Sequence, residues 1–489
     1  MEKLAIVSEA LRLELHDVLG PAGLLTEWAQ RRTYESDGLT GYRAVPAFVA
    51  LPENRDQVVG VVRACARHGV PLVPRGSGTG LSGGALPHPD GVLIALSRMR
   101  RVLDIDAANQ RITVEPGVTN AQVSKAVAGY DLYYAPDPSS QVVCSIGGNV
   151  AENSGGAHCL KYGFTTHHVL GCEVVLPDGE VVEFGGPTLD PLGYDLRGLF
   201  VGSEGTLGIV TKVTLRLLRR PEAVRTMVAD FATPAAAGDA VGAIIAAGIV
   251  PAAVEMMDNL AIQAAEDDAH AGFDRDSGAA LIVELDGPAA ECEASFADVV
   301  GLCTDNGATA IRIADDPAER ARVWKGRKAA FAAMGRLAPD YFVQDGVIPR
   351  TRLGECLDKI SQMAAAAGLR VANVFHAGDG NLHPLVLYDG ADAEVTERAE
   401  TLSKQIAELC VAFGGSLSGE HGIGADKACS MPTMFTADDL AVMDRVRAAF
   451  DPEGRCNPDK VLPTPRLCGE RPGPYKPHPL EAAGIIERM

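Results

Sequence analysis

The sequence predicts an α+β protein with two main domains. Three observations carry this. At 489 residues the chain can hold two or three cores. Its balance of 47% apolar to 22% charged residues is that of a folded globular protein. Helix-spaced segments also alternate with short extended ones bounded by turn residues. Residues 1–221 are expected to form the first domain and 222–464 the second, with about 435–464 returning to the first and a Pro-rich tail over 465–489.

Taken in order, the segment from Asn54 to His68 spaces Val58, Val59, Val62 and Cys65 as a helix, and Gly69 stops it before an extended Val70-Pro71-Leu72-Val73. Strands are expected at Val92–Leu96, Arg111–Glu115, Cys172–Leu176 and Gly208–Leu217. After Arg219-Arg220-Pro221 the composition turns Ala-rich and helical, with strands at Ala280–Leu285 and Val371–Phe375.

Charge and cysteines narrow the function. A net charge of −20 argues against nucleic acid, whose binding needs a basic surface. The N-terminus shows no signal or transit pattern, and no run of ~18 apolar residues could span a membrane, so a cytoplasmic location is expected. Eleven scattered cysteines without a Cys-x-x-Cys pair fit reduced thiols rather than a disulfide framework or an iron–sulfur site.

The 53 glycines cluster. In Arg75-Gly76-Ser77-Gly78-Thr79-Gly80-Leu81-Ser82-Gly83-Gly84, the residues Gly78, Gly80 and Gly83 have the G-x-G-x-x-G spacing of a dinucleotide fold. That fold needs a helix directly after the glycines, and Pro87 and Pro89 forbid one. What remains is a loop rich in open backbone N–H groups and hydroxyls, able to wrap a diphosphate. Two more stretches share its character: Asp137-Pro138-Ser139-Ser140 leading to Gly147-Gly148-Asn149 and Ser154-Gly155-Gly156, and Gly202-Ser203-Glu204-Gly205-Thr206-Leu207-Gly208. Three such loops in one domain imply a long phosphate-bearing ligand.

These motifs, with Pro74 before the first loop, resemble the FAD-binding domain of the vanillyl-alcohol-oxidase (PCMH-type) flavoproteins. Within that superfamily the chain is similar to the FAD-binding subunits of glycolate oxidase and to D-lactate and D-2-hydroxyglutarate dehydrogenases, from about Tyr34 to Pro463. The resemblance implies a two-part PCMH-type FAD-binding domain plus an α+β cap, the FAD-linked oxidase C-terminal domain. It implies FAD held by Pro74, Arg75, Gly76, Ser77, Gly78, Thr79, Gly80, Ser82, Gly83, Pro138, Ser139, Gly147, Gly148, Asn149, Ser154, Gly155, Gly205, Ile209 and Asn457. Residues 75–84 contain no His or Cys, so the flavin is expected to be non-covalent.

Val371 to Tyr388 reads as strand, turn, strand around Asp379-Gly380. A two-residue turn there would set His376 directly opposite His383, close enough for both imidazoles to reach one divalent ion. The alternative is a histidine satisfied in the core. Ser418-Gly419-Glu420-His421-Gly422 adds a carboxylate and another histidine. In metal-dependent relatives the positions matching His376, His383 and Glu420 bind the metal, and the one matching His421 acts as base. The ligand set suits Zn, Mn or Fe. In Val323-Trp324-Lys325-Gly326-Arg327, the residue Arg327 matches the arginine that binds the substrate carboxylate in relatives, against the plain reading of a helix-surface charge. Phe331, Val343 and Leu385 stand where hydroxyglutarate-specific relatives carry polar residues, which favours a short monocarboxylate.

The expected activity is oxidation of a short D-2-hydroxy acid, glycolate or else D-lactate, to the 2-oxo acid. Iron–sulfur and second flavin-domain subunits are the expected partners, with peripheral attachment at the inner membrane through them as an alternative location. A metallohydrolase and a non-catalytic flavin subunit are the readings from other classes.

Overall fold

The computed structural model describes residues 2–188 and 193–464. The tail expected over 465–489 lies outside them. The helix Arg55–His68 starts where Asn54 accepts a hydrogen bond from Gln57 N and ends at Gly69, whose left-handed φ of 63° lets its N–H reach the Cys65 and Ala66 carbonyls. It packs beside a four-stranded sheet ordered Leu24–Leu25, Phe48–Ala50, Val92–Ala95, Leu72–Arg75, whose last three strands run parallel. A second, antiparallel sheet follows in the order Val102–Asp106, Arg111–Val114, Ile209–Arg216, Val169–Val175, Val181–Gly185. The two sheets have separate cores, and the glycine loops run between them.

The second half is one seven-stranded antiparallel sheet: Ala308–Ala314, Ala223–Phe231, Ala279–Gly287, Ala253–Asp258, Arg370–His376, Pro384–Tyr388, Asp340–Val343. Helices cover both faces, so its strands read as continuous apolar runs. Along one strand Ala279, Leu281, Val283 and Leu285 enter the core under helices Pro234–Ala246, Ala289–Asp305 and Leu353–Ala367, while Ala280 and Ile282 enter the core under Asn259–Ala269 and Pro317–Ala333. The strands Ala223–Phe231 and Ala253–Asp258 fall where the composition suggested helix. Alanine fits a strand when helices press on both of its faces, and tertiary packing overrides its propensity.

The chain then returns. Phe450 packs edge-on against Phe184, Leu72 N donates to Arg455 O at 2.9 Å, and Asn457 N donates to Leu72 O at 2.7 Å. The last described segment therefore extends the first sheet at Leu72. Among the described residues nine cysteines are free and buried. Cys429 is disulfide-bonded, which corrects the expectation of reduced thiols throughout.

Candidate active site

A cleft of about 580 Å³ runs from the glycine loops to the edge of the large sheet. All the expected FAD-binding residues border it except Ser82, Gly83, Gly155 and Asn457, and those four seat the loops that do. Ser82 Oγ donates to the His421 carbonyl at 2.9 Å, and Asn457 Nδ2 donates to the Gly84 and Glu204 carbonyls at 2.9 and 2.6 Å. Gly83 packs against Ala425, and Gly155 against the Glu420 carboxylate. As Pro87 and Pro89 required, no helix follows the first loop.

The wall fits a long, flat, phosphate-bearing ligand. A Cβ on Gly76 would stand 2.4 Å from Ser145 Oγ and 3.3 Å from the Gly148 backbone, so the two loops meet this closely only because Gly76 is bare. Gly78 holds a left-handed φ of 71°, turning the backbone of the loop. Cys144 borders the cleft, but its thiol contacts Asn149 and burial pushes its pKa up, the reverse of an activated nucleophile.

At the other end, the structure corrects the hairpin register. Arg370 pairs with Leu387, Asn373 with Pro384 and His376 with Asn381, so the chain reverses over four residues, 377–380, rather than two. His383 is thus the diagonal neighbour of His376, not its direct partner. A shift of two keeps both histidines on one face, because side chains alternate with period two. Their ring centroids lie 5.2 Å apart, and both Nε2 atoms converge on Glu420 Oε1, at 3.1 Å from His376 and 3.2 Å from His383.

The other ring nitrogens are already engaged. His376 Nδ1 lies 2.6 Å from Glu255 Oε1, and His383 Nδ1 lies 3.2 Å from the Gln344 carbonyl. Each acceptor fixes the proton on Nδ1 and leaves an Nε2 lone pair aimed at a carboxylate oxygen. Three electron-rich atoms converging this way, all within 4.8 Å of one another, call for a cation. Without one, a proton substitutes. Burial disfavours charge on His376, but the Glu255 and Glu420 carboxylates outweigh it and raise its pKa well above the usual value. Burial likewise opposes charge on Glu420, and His376 overrides it to hold the carboxyl well below the usual range.

His421 borders the cleft, its ring stacked on that of His383 at 4.9 Å. Burial, the main cause, pushes its pKa down to about 4, so it is a neutral imidazole at ordinary pH. Arg327 is 2% exposed and does not border the cleft: its Nε donates to Glu255 Oε2 at 2.8 Å. The chain Arg327–Glu255–His376 ties the helix Pro317–Ala333 to the hairpin. Phe331 and Val343 line the cleft, whereas Leu385 is buried in the sheet core.

Glu255, Asp345 and Glu204 were not anticipated. Glu204 accepts Ile423 N and Gly424 N at 2.7 Å each, so the first half grips the loop that carries Glu420 and His421. Each of the three is a carboxylate in an apolar or glycine-rich stretch, as in Ala253-Val254-Glu255-Met256-Met257, and that mismatch was the available signal.

The comparisons agree with this geometry. Residues 46–185 match the FAD binding domain family, and residues 220–461 match the FAD linked oxidases, C-terminal domain. The glycolate oxidase subunit GlcD of Escherichia coli (strain K12) is 51% identical, covering 89% of this chain and 88% of its own length. The D-lactate dehydrogenase of Archaeoglobus fulgidus is 32% identical, covering 88% and 94%. The solved 4-ethylphenol oxidase of Gulosibacter chungangensis shares the fold with a TM-score of 0.78 at 19% identity, over 94% of this chain and 97% of its own. The chain is therefore an FAD-dependent oxidoreductase and belongs to the FAD-linked oxidases that include the GlcD subunits of glycolate oxidase.

Proposed function

We propose that this chain oxidises a short D-2-hydroxy acid to the 2-oxo acid, with glycolate to glyoxylate as the first candidate. The observation that carries the reading is the convergence of His376 Nε2, His383 Nε2 and Glu420 Oε1 at the end of a glycine-walled cleft. These three residues would hold a divalent Zn, Mn or Fe ion, which when bound lowers the pKa of a hydroxyl. The glycine loops would hold FAD non-covalently, and when bound it would supply the acceptor for a hydride.

The chain's own residues do the rest. His421, neutral and beside the pair, takes the hydroxyl proton while the α C–H bond breaks and its electron pair leaves with the hydrogen. Glu255 and Gln344 fix the tautomers of His376 and His383. Arg327, buried outside the cleft, balances the charge of Glu255 and through it supports His376.

The wall formed by Phe331, Ala332 and Val343 is apolar and would accept a methyl group, which keeps D-lactate as the second candidate beside the Archaeoglobus relative. The E. coli relative is named as a subunit, and iron–sulfur and second flavin-domain chains are the proposed partners that reoxidise the flavin. Among the described residues no helix is long and apolar enough to cross a membrane, so cytoplasmic residence or peripheral attachment through those partners is proposed.

Anaerobic stopped-flow mixing with a panel of D- and L-2-hydroxy acids tests the proposal. Rapid bleaching of the flavin by glycolate or D-lactate, and not by D-2-hydroxyglutarate, is expected. A flavin that no 2-hydroxy acid bleaches would overturn it.

A further inference from the structure

The cation-site reading leaves a fully buried carboxylate beside the cluster without a role. Asp345 follows the strand Asp340–Val343. Its Oδ2 accepts hydrogen bonds from Ser418 Oγ at 2.5 Å, His421 N at 2.8 Å and Gly419 N at 3.1 Å, and Glu420 N lies 3.2 Å from both carboxylate oxygens. The Gly419 N–H also reaches the Asp345 carbonyl at 2.8 Å. Asn381 also presses on Gly419, where a Cβ would stand 2.5 Å from its side-chain amide.

The neighbouring residue extends the grip. Gln344 N donates to Pro384 O at 3.0 Å, and its carbonyl accepts His383 Nδ1. One dipeptide, Gln344-Asp345, thereby contacts His383, Glu420 and His421, which come from segments about 40 to 75 residues away. Asp345, His383 and His421 also bring ligand atoms within 4.8 Å of one another. That triangle is not a second cation site: amide and hydroxyl donors occupy the Asp345 oxygens, and His383 Nδ1 carries its proton toward Gln344.

We propose that Asp345 is a positioning residue that clamps the Ser418–His421 turn, so that Glu420 meets the two histidines while the adjacent His421 borders the cleft. The inference rests on the cation-site reading given under Proposed function. Replacing the carboxylate by an amide removes the charge that strengthens these four bonds and sets an NH2 group against the Glu420 N–H, or against all four donors if the amide turns over, which loosens the turn at nearly unchanged size.

The test compares purified wild type, Asp345→Asn and Ser418→Ala as FAD-loaded proteins. Each is stripped of metal and titrated with Mn²⁺, with FAD content, thermal midpoint, kcat and KM measured in parallel. Asp345→Asn is expected to weaken Mn²⁺ binding and lower kcat by about 10–100-fold, with FAD content unchanged, KM within about threefold, and kcat partly restored by excess Mn²⁺. Ser418→Ala, which removes one donor of the clamp, is expected to show the same pattern at about 3–10-fold. Wild-type Mn²⁺ affinity and kcat in either variant would overturn the proposal. So would loss of FAD together with metal in both, which would mark a purely structural role. If the wild type itself turns over substrate at full rate after stripping, the cation-site reading fails instead, and the two failures are distinguishable.

Discussion

The cleft has two ends built on opposite principles. The glycine end is made of backbone and small side chains from three loops, each offering single contacts, and its shape comes from what is missing, as where Gly76 meets Gly148. The carboxylate–imidazole end is made of buried ionisable groups in which Glu255, His376 and Glu420 each engage at least two partners. Where the wall is bare backbone, losing one contact changes little unless a new atom intrudes. In the cluster, removing one member leaves the others as uncompensated buried charges. Binding of a large ligand can be spread over many weak contacts, whereas activation of one hydroxyl must be concentrated.

The sharpest separation of the two ends is expected from His421→Ala, which should lower kcat by about 10²–10⁴-fold while the FAD spectrum and content stay unchanged. Glu255→Gln comes next. It leaves His376 Nδ1 with a weaker acceptor and Arg327 unbalanced, so divalent metal affinity should fall about 10–100-fold with FAD retained, read by metal analysis after dialysis. At the other end, Gly76→Val should reverse the pattern. FAD occupancy, read from the ratio of flavin to protein absorbance, should drop about tenfold or more, the equivalent of roughly 1–3 kcal/mol of overpacking, while the imidazole cluster persists.

The smallest effect is expected where the two halves meet. His158 Nδ1 lies 3.0 Å from Asp137 and its Nε2 lies 3.3 Å from Glu284, one carboxylate from each half. Burial disfavours its charge, but Asp137 leads the opposing influences and raises its pKa well above the ordinary value. The stabilisation is therefore complete below the unfolded histidine value, ~6.5, and is lost as pH rises through the elevated folded value. His158→Gln should cost about 1–3 kcal/mol near pH 6, with the gap to wild type closing at alkaline pH in denaturant unfolding.

The same contrast explains what the sequence disclosed. The cradle was legible because its signals are local: the first loop packs glycines and hydroxyls into the ten residues 75–84, with a strand before them and Pro87 and Pro89 to exclude a helix. His376, His383, Glu420 and His421 were legible as pairs of nearby residues. Their supports were not, because Glu255 lies 121 residues from His376 and Asp345 lies 76 from His421, and a carboxylate in an apolar stretch signals burial without naming its partner. The hairpin register was misread by two residues because Asp379-Gly380 fits a tight turn as well as it fits the end of a longer one. The face was still right, since parity survives that shift. Arg327 was legible as a functional cation, but its commitment to Glu255 depends on a strand that alanine content had disguised.

The most direct test of the central claim is the rate of anaerobic flavin reduction by glycolate or D-lactate before and after chelation, on protein that keeps its FAD. The account predicts that the chelated enzyme stays yellow and unreduced and that added divalent metal restores bleaching. Equal reduction rates with and without metal would contradict it.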